Sequence, residues 1–551
     1  MHKLKLTMVP IALIVSISNL LTITNGIKLI ETSEIVLPQG KLVGAQSLLW
    51  KYNEYLGIPY ASINGRFQEP GDPPLWTGTL RAKSDSIKCS QVLPMLNVQV
   101  GREDCLFLNI YTPTYKIPNG HPVMVFIHGG GFYWGSDSEL LYNPRFLIQK
   151  GVIVVTLNYR LSAFGFLCLH NKGAPGNVGL KDQAAALRWI QNNIKHFGGN
   201  ANSVTLFGHS AGSASVNYLV LSPATKGLFH RAIMESGAVL MPLSFDYDPI
   251  TTASKVASRM GHDTSDPDEL LKIFEQASKE DIIRATNPNS LNDAFAPHIF
   301  RPCLEKFSTN AIVTAPPKDM LNTVKLDPNF KMIIGYNNKE GIYYATNYKN
   351  KGIETLNDHF ESIIPSNIRF ATDKEKQSFI DEVKEFYFKG SKISVEKADA
   401  LIDYFSDIIF MFPAVVTTET LLATTNATIY NYYFKYDSLR NINKFITDYR
   451  FTPGAAHGDE LFYLFDPIMY RFLSVFHFDH YVIDRMTSMW TNFAKNGDPM
   501  ATIGDYEWKR SDKEQLKFLQ INNKMQMIDL PNKERIEFWK EMYAKYNNDL
   551  Y

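Results

Sequence analysis

Apolar residues along this chain fall into two alternating patterns. Short runs at 122–127, 152–159, 203–207, 231–236, 330–334 and 428–434 are apolar or β-branched at nearly every position. Runs of that length and content fit strands buried on both faces. Between them lie longer periodic stretches. Residues 177–197 place Leu180, Ala184, Leu187, Ile190 and Ile194 on one helical stripe, and Gly198-Gly199 supplies a C-terminal stop. Residues 211–221 read as a second helix, closed by Ser222-Pro223. Residues 143–150 can form a short crossover helix, and 484–495 and 532–546 read as outer helices. Strands alternating with helices predict the α/β class, a mostly parallel sheet wrapped on both faces. Near the N-terminus, 54–76 reads as short strands and loops and 103–111 as a strand. Residues 248–328 and 373–422 turn helical. These insertions are expected over the carboxyl ends of the strands, where open α/β sheets hold their ligands.

One turn organises the rest. Gly208-His209-Ser210-Ala211-Gly212 lies between the 203–207 strand and the 211–221 helix. A serine on a sharp strand-to-helix turn, with glycine two residues to either side, is a nucleophile elbow. The glycines relieve crowding in the turn, and the new helix aims its unpaired N–H groups at the serine. Chance produces G-x-S-x-G often, so the pattern carries weight only with its partners.

Such a serine needs a base, an orienting acid and a sink for negative charge. In this class of sheet the chain order is serine, acid, histidine. His457 stands in Gly454-Ala455-Ala456-His457-Gly458, where small neighbours leave an imidazole room to reach another loop. His477 and His480 lie in an aromatic-rich run suited to packing. His209 is expected to point away from Ser210 and take no part. Glu340 follows the 330–334 strand directly and precedes His457, which marks it as the acid. For the charge sink, His128-Gly129-Gly130-Gly131-Phe132 follows the 122–127 strand. Bare backbone N–H groups there, with that of Ala211, can face an oxyanion.

Length and composition add an address. At 551 residues the chain could hold several domains, but its chemical parts run from His128 to His457, so one unit must span most of it. Lys3 and Lys5 precede an apolar run at 6–23, and Thr24-Asn25-Gly26 ends in a small residue. That is the layout of a secretory signal peptide at 1–26, leaving a single catalytic domain at 27–551. No later stretch reads as a bilayer span, so a soluble secreted protein without a membrane anchor is expected. Lys plus Arg equals Asp plus Glu, at 56 each, and gives no pull toward nucleic acid. Of four cysteines, Cys89 and Cys105 could close one short loop, while Cys168 and Cys303 read as buried free thiols. Asn426-Ala427-Thr428 is a usable N-glycosylation sequon. There is no H-E-x-x-H, paired C-x-x-C or P-loop, so neither metal nor cofactor is implied.

Several stretches together resemble the type B carboxylesterases of the α/β-hydrolase fold. They are Tyr55-Leu-Gly-Ile-Pro-Tyr60, Glu103-Asp-Cys-Leu-Phe-Leu-Asn109, the glycine loop, Phe197-Gly-Gly-Asn200, the elbow, Asn338-Lys-Glu-Gly341, His457-Gly-Asp-Glu-Leu461 and Trp490-Thr-Asn-Phe-Ala494. The resemblance covers nearly all the mature chain and is nearest to insect general esterases. It implies hydrolysis of small-molecule carboxylic esters by a triad of Ser210, Glu340 and His457, with Gly130, Gly131 and Ala211 as oxyanion hole. It also implies a Cys89–Cys105 disulfide, an Arg66–Glu103 ion pair, and a substrate pocket that includes Leu243 and Tyr343. The family commonly has tryptophan where this chain has Leu243, which implies room for longer or branched acyl groups. Cholinesterases carry a choline-holding tryptophan between the first two cysteines, and this chain has none there. Juvenile-hormone esterases usually have glutamine in place of His209, which sets that role behind a general esterase. A slow-turnover scavenger would share the whole site. Adhesion relatives that lost the triad are set apart by the intact Ser210, Glu340 and His457.

Overall fold

The apolar runs assemble into one twelve-stranded sheet. The computed structural model describes residues 29–93, 96–287, 299–308, 310–348, 351–468, 479–501, 503 and 507–546. The signal-peptide reading of 1–26, and His477, lie outside them. In chain order the strands are β1 (Leu29–Glu31), β2 (Ala45–Ser47), β3 (Tyr52–Pro59), β4 (Phe107–Pro113), β5 (His121–Ile127), β6 (Ile153–Leu157), β7 (Gly199–His209), β8 (Arg231–Glu235), β9 (Lys331–Asn337), β10 (Thr428–Phe434), β11 (Lys517–Ile521) and β12 (Gln526–Asp529). Across the sheet they run β1-β2-β3-β4-β6-β5-β7-β8-β9-β10-β11-β12. From β6 to β11 every pairing is parallel, and the outer pairings are antiparallel.

The parallel strands are buried on both faces, as their continuous apolar text requires. Along β5, Val123, Val125 and Ile127 enter one core, while Met124 and Phe126 enter the other. Helices α1 (Val178–Asn193) and α2 (Ala211–Leu221) cover the first face, with Leu180, Leu187, Ala214 and Val216 in its core. Helix α3 (His480–Asn496) covers the second through Met486, Met489, Trp490 and Phe493. The stop predicted after α1 is Gly198, left-handed at φ 81°.

Chain order reverses at β5: β6 lies on one side of it and β7 on the other. In an open α/β sheet such a reversal leaves a crevice outside the carboxyl ends of the strands. The glycine loop leaves β5 at that crevice, and the elbow leaves β7 there.

Two expectations need correction. Cys168 and Cys303 are not free thiols; they form a second disulfide beside Cys89–Cys105. Their 135-residue separation hides the pairing in sequence. Asn177 accepts from the Cys303 N–H (2.9 Å) and donates to its carbonyl (2.7 Å), which holds this segment at the start of α1. The second concerns bilayer spans. Residues Val395–Thr424 form a helical run long and apolar enough to cross a membrane by composition. Its most apolar window is 83% buried inside the protein, so it is a core element here.

Candidate active site

Ser210 terminates β7 with φ 58° and ψ −125°, a strained conformation for a residue with a side chain. The surroundings enforce it. The Ser210 N–H donates to the Glu235 carbonyl (2.9 Å), and the Ser210 carbonyl accepts from Ala214 in the first turn of α2 (2.9 Å). A Cβ on Gly208 would press on the Gly212 carbonyl, and one on Gly212 would strike the Ile127 carbonyl at the end of β5. Both flanking glycines are therefore steric requirements. In the loop after β5, Gly130 and Gly131 have φ 111° and 60°, open to glycine and costly for other residues.

Glu340 and His457 come from loops stitched together at the ends of β9 and β10. Lys339 N–H donates to the Ala455 carbonyl (3.0 Å), Ala455 N–H to Asn338 Oδ1 (2.8 Å), and Asn337 Nδ2 to the Ala456 carbonyl (2.8 Å). Asp459 accepts from Ala456 N–H (2.7 Å), and Asn443 donates to the His457 carbonyl (2.8 Å). Held this way, His457 Nδ1 lies 2.7 Å from Glu340 Oε2. With Nδ1–H donating to the carboxylate, Nε2 is left as the basic nitrogen. Burial pushes His457 down to about 3. Burial pushes Glu340 up, while donation from the Ser236 hydroxyl (2.6 Å) and Asn337 N–H (2.6 Å) holds it back. Three donors converge on this carboxyl, and that favours its ionised form.

Ser210, His457, Gly130, Gly131, Leu243 and Tyr343 line one cavity. Ala211 opens α2 beside it, where the first N–H groups of a helix have no intrahelical acceptor. Leu243 lies on the wall, while Phe245 packs instead on Tyr247 (4.7 Å between centroids). The Tyr343 ring is 5.9 Å from that of His457.

His209 and Phe410 enter the site in ways that the sequence pattern does not announce. His209 does not point away from the site: its ring is 4.3 Å from that of His457, and it lines the cavity. Side chains alternate along a regular strand, but the turn at Ser210 breaks that alternation and brings both residues to the same opening. Burial, then the neighbouring His457, pushes His209 well down, so it sits neutral, 3.7 Å from Glu460 Oε1. Phe410 also packs on His457, at 4.3 Å between ring centroids, delivered by a π-helical turn at Asp407–Met411. Such turns shift side-chain register within a helix and recur at functional sites. The acid beside His209, Glu460, stands in the stretch His457-Gly-Asp-Glu-Leu461, where spacing alone gives it no role. Arg66 and Glu103 form the expected ion pair, bidentate at 2.9 and 2.7 Å.

The profile of the carboxylesterase family matches residues 31–539. The chain is 32% identical over 526 residues to esterase B1 of Culex pipiens, covering 91% of this chain and 95% of that protein. It is 33% identical over 479 residues to juvenile hormone esterase of Tribolium castaneum, covering 81% and 80%. Among solved structures it superposes on juvenile hormone esterase from Manduca sexta with a TM-score of 0.82 at 26% identity, covering 94% of this chain and all of that one. The fold is thus that of an α/β-hydrolase, and the chain belongs to the carboxylesterase family as an ester-hydrolysing enzyme.

Proposed function

We propose that ester hydrolysis runs through an acyl-enzyme on Ser210. His457 Nε2 takes the hydroxyl proton as Ser210 Oγ attacks the ester carbonyl. The resulting oxyanion faces the N–H groups of Gly130, Gly131 and Ala211, and the imidazolium shares its Nδ1–H with Glu340. Collapse expels the alcohol, which receives the proton from His457. Water then attacks the acyl group as His457 takes a proton from it, and returning that proton to Ser210 Oγ releases the carboxylic acid. The observation that carries this reading is the 2.7 Å contact between His457 and Glu340 at a cavity that also holds the strained serine. A fluorophosphonate should label Ser210 alone, and Ser210→Ala should lower kcat on the order of 10⁶-fold. Labelling at another serine, or ordinary activity in the alanine variant, removes the assignment.

Leu243 is the acyl-side wall in this proposal, supported by its place at the cavity while Phe245 packs elsewhere. Butyrate, hexanoate and 2-methylbutyrate esters should outrun acetate, and Leu243→Trp should lose them first, by about 10–200-fold in kcat/KM. Equal ratios in both proteins would show that Leu243 does not shape the pocket. The same reading takes the enzyme as one domain, 27–551, secreted after removal of 1–26. Two disulfides fit an oxidising compartment, and the exposed Asn426 before β10 is open to a glycan.

A further inference from the structure

Among the described residues that line the active-site cavity, Arg301 alone carries a permanent charge, and none is an acid. Arg301 is buried, 7% exposed, and lines the cavity together with Leu243 and Ile299. A guanidinium taken out of water is costly unless anionic or hydrogen-bonding groups face it. Asp246 is one charged group within its field. Burial pushes that carboxyl up and the Arg301 charge pulls it back, while its Oδ1 is engaged by the Asp248 N–H (2.9 Å). The Tyr344 hydroxyl also lies within the field of Arg301.

The backbone around this cation is fastened. Asp246 N–H donates to the Pro302 carbonyl (2.7 Å), Asn177 bonds both polar groups of Cys303, and Cys303 is tied to Cys168. The backbone that carries Arg301 is therefore held in place at the cavity before any ester arrives. Fixed donors in a site of low dielectric discriminate charge far better than mobile ones in water.

We infer that Arg301 is a specificity-determining residue that receives an anion at the end of the acyl chain, so that half-esters of short dicarboxylic acids are a substrate class of this enzyme. The inference rests on the acyl-enzyme reading with Leu243 on the acyl side. The apolar wall at Leu243 takes the methylenes, and the planar guanidinium takes the terminal carboxylate through charge-assisted hydrogen bonds. The same charge turns away cationic esters.

The test compares kcat/KM for 4-nitrophenyl hemiglutarate with that for 4-nitrophenyl 5-methylhexanoate, whose isopropyl end copies the shape of the carboxylate. Rates are corrected for uncatalysed hydrolysis and taken in wild type, Arg301→Met and Arg301→Lys. The ratio of anionic to neutral ester should fall about ten- to a hundredfold in the methionine variant and largely return in the lysine variant. A ratio that stays constant in Arg301→Met, or that falls equally in both variants, overturns the inference. So does a charge effect seen only with 4-carboxyphenyl 5-methylhexanoate, which carries its anion on the alcohol side. Should Arg301→Met fail to fold, wild type decides: a hemiglutarate disfavoured more than tenfold against its neutral isostere overturns the inference, and one at least equal to it supports it. Hydrolysis of the neutral ester with a flat ratio removes Arg301 alone. Loss of both activities together with loss of Ser210 labelling removes the acyl-enzyme reading beneath it.

Discussion

Glu340 and Glu460 share one donor. The Ser236 hydroxyl lies 2.6 Å from Glu340 Oε1 and 3.3 Å from Glu460 Oε1, and a hydroxyl has one proton to give. Both carboxyls are buried. Two adjacent buried carboxylates cannot both ionise cheaply, so one of them holds a proton near neutral pH. Glu340 takes the Ser236 proton, the Asn337 N–H and the His457 Nδ1–H, which fits an acceptor-only carboxylate. Glu460 is pushed well above its ordinary value, first by burial and then by the charge on Glu340. The proton therefore sits on Glu460. Glutamine copies a protonated acid far better than it copies a carboxylate. Glu340→Gln should consequently lower kcat by roughly 10³–10⁴-fold, in line with loss of the acid from a serine triad. Glu460→Gln should cost less than about tenfold. Steady-state kinetics on both variants decides it, and the reverse order of losses would place the charge on Glu460.

Elements that are continuous in sequence were legible, and contacts made across long gaps were not. The strand 428–434 and the helix 211–221 come out with the bounds their text predicts, because each is a dense apolar run ended by a turn. The elbow, the glycine loop and the ordering of Glu340 before His457 follow from local spacing, and the fold brings Ser210, the glycine loop and His457 to one cavity, with Glu340 buried against His457. The hairpin β11–β12 escaped notice because its outer strand, Gln-Met-Ile-Asp, has exposed ends and no buried run. Phe410 depends on a π-helical turn that no periodicity announces. Arg301 sits in a loop, where neither period 2 nor period 3.6 applies. The Cys168–Cys303 pairing belongs to the same class, and it has an energetic consequence. A cross-link stabilises in proportion to the logarithm of the loop it closes. The 135-residue loop corresponds to about 5 kcal/mol and the 16-residue loop of Cys89–Cys105 to about 3 kcal/mol on chain-entropy grounds. Equilibrium unfolding in denaturant should therefore show a larger loss for Cys168→Ser with Cys303→Ser than for Cys89→Ser with Cys105→Ser. Equal or reversed losses would mean that native packing around the sulfurs, and not loop closure, sets the contribution.

Across the whole molecule, burial acts on acids and histidines in opposite senses, and the balance sets stability against pH. Burial pushes His128 down to about 4 and His457 to about 3, and it pushes His209 well down as well. An unfolded histidine titrates near 6.5, so these groups favour the fold fully above that value and less as pH falls toward 3 or 4. Buried acids behave the other way. Glu235 is pushed well above its ordinary value by burial, although Trp490 Nε1 donates to its Oε1 (2.7 Å). Burial likewise raises Asp407 to about 7, against the pull of Arg535. In the unfolded chain these acids ionise near pH 4, whereas in the fold they keep their protons to higher pH, Asp407 to about 7 and Glu235 well above its ordinary value. Their contribution is complete below the unfolded value and is lost as pH rises through the folded one. Above pH 6.5 the histidine contribution is already complete, so the acids alone set the slope. Each proton kept by the fold and absent from the unfolded chain costs roughly 1.4 kcal/mol per pH unit. Thermal unfolding followed from pH 6.5 to 8.5 should thus show Tm falling as pH rises. Glu235→Gln keeps the shape of the protonated side chain and its Trp490 contact, and it removes one of those protons. Its Tm should fall less steeply over the same window. A wild-type Tm that rises from pH 6.5 to 8.5, or a glutamine variant with the wild-type slope, would mean that Glu235 is ionised inside the fold.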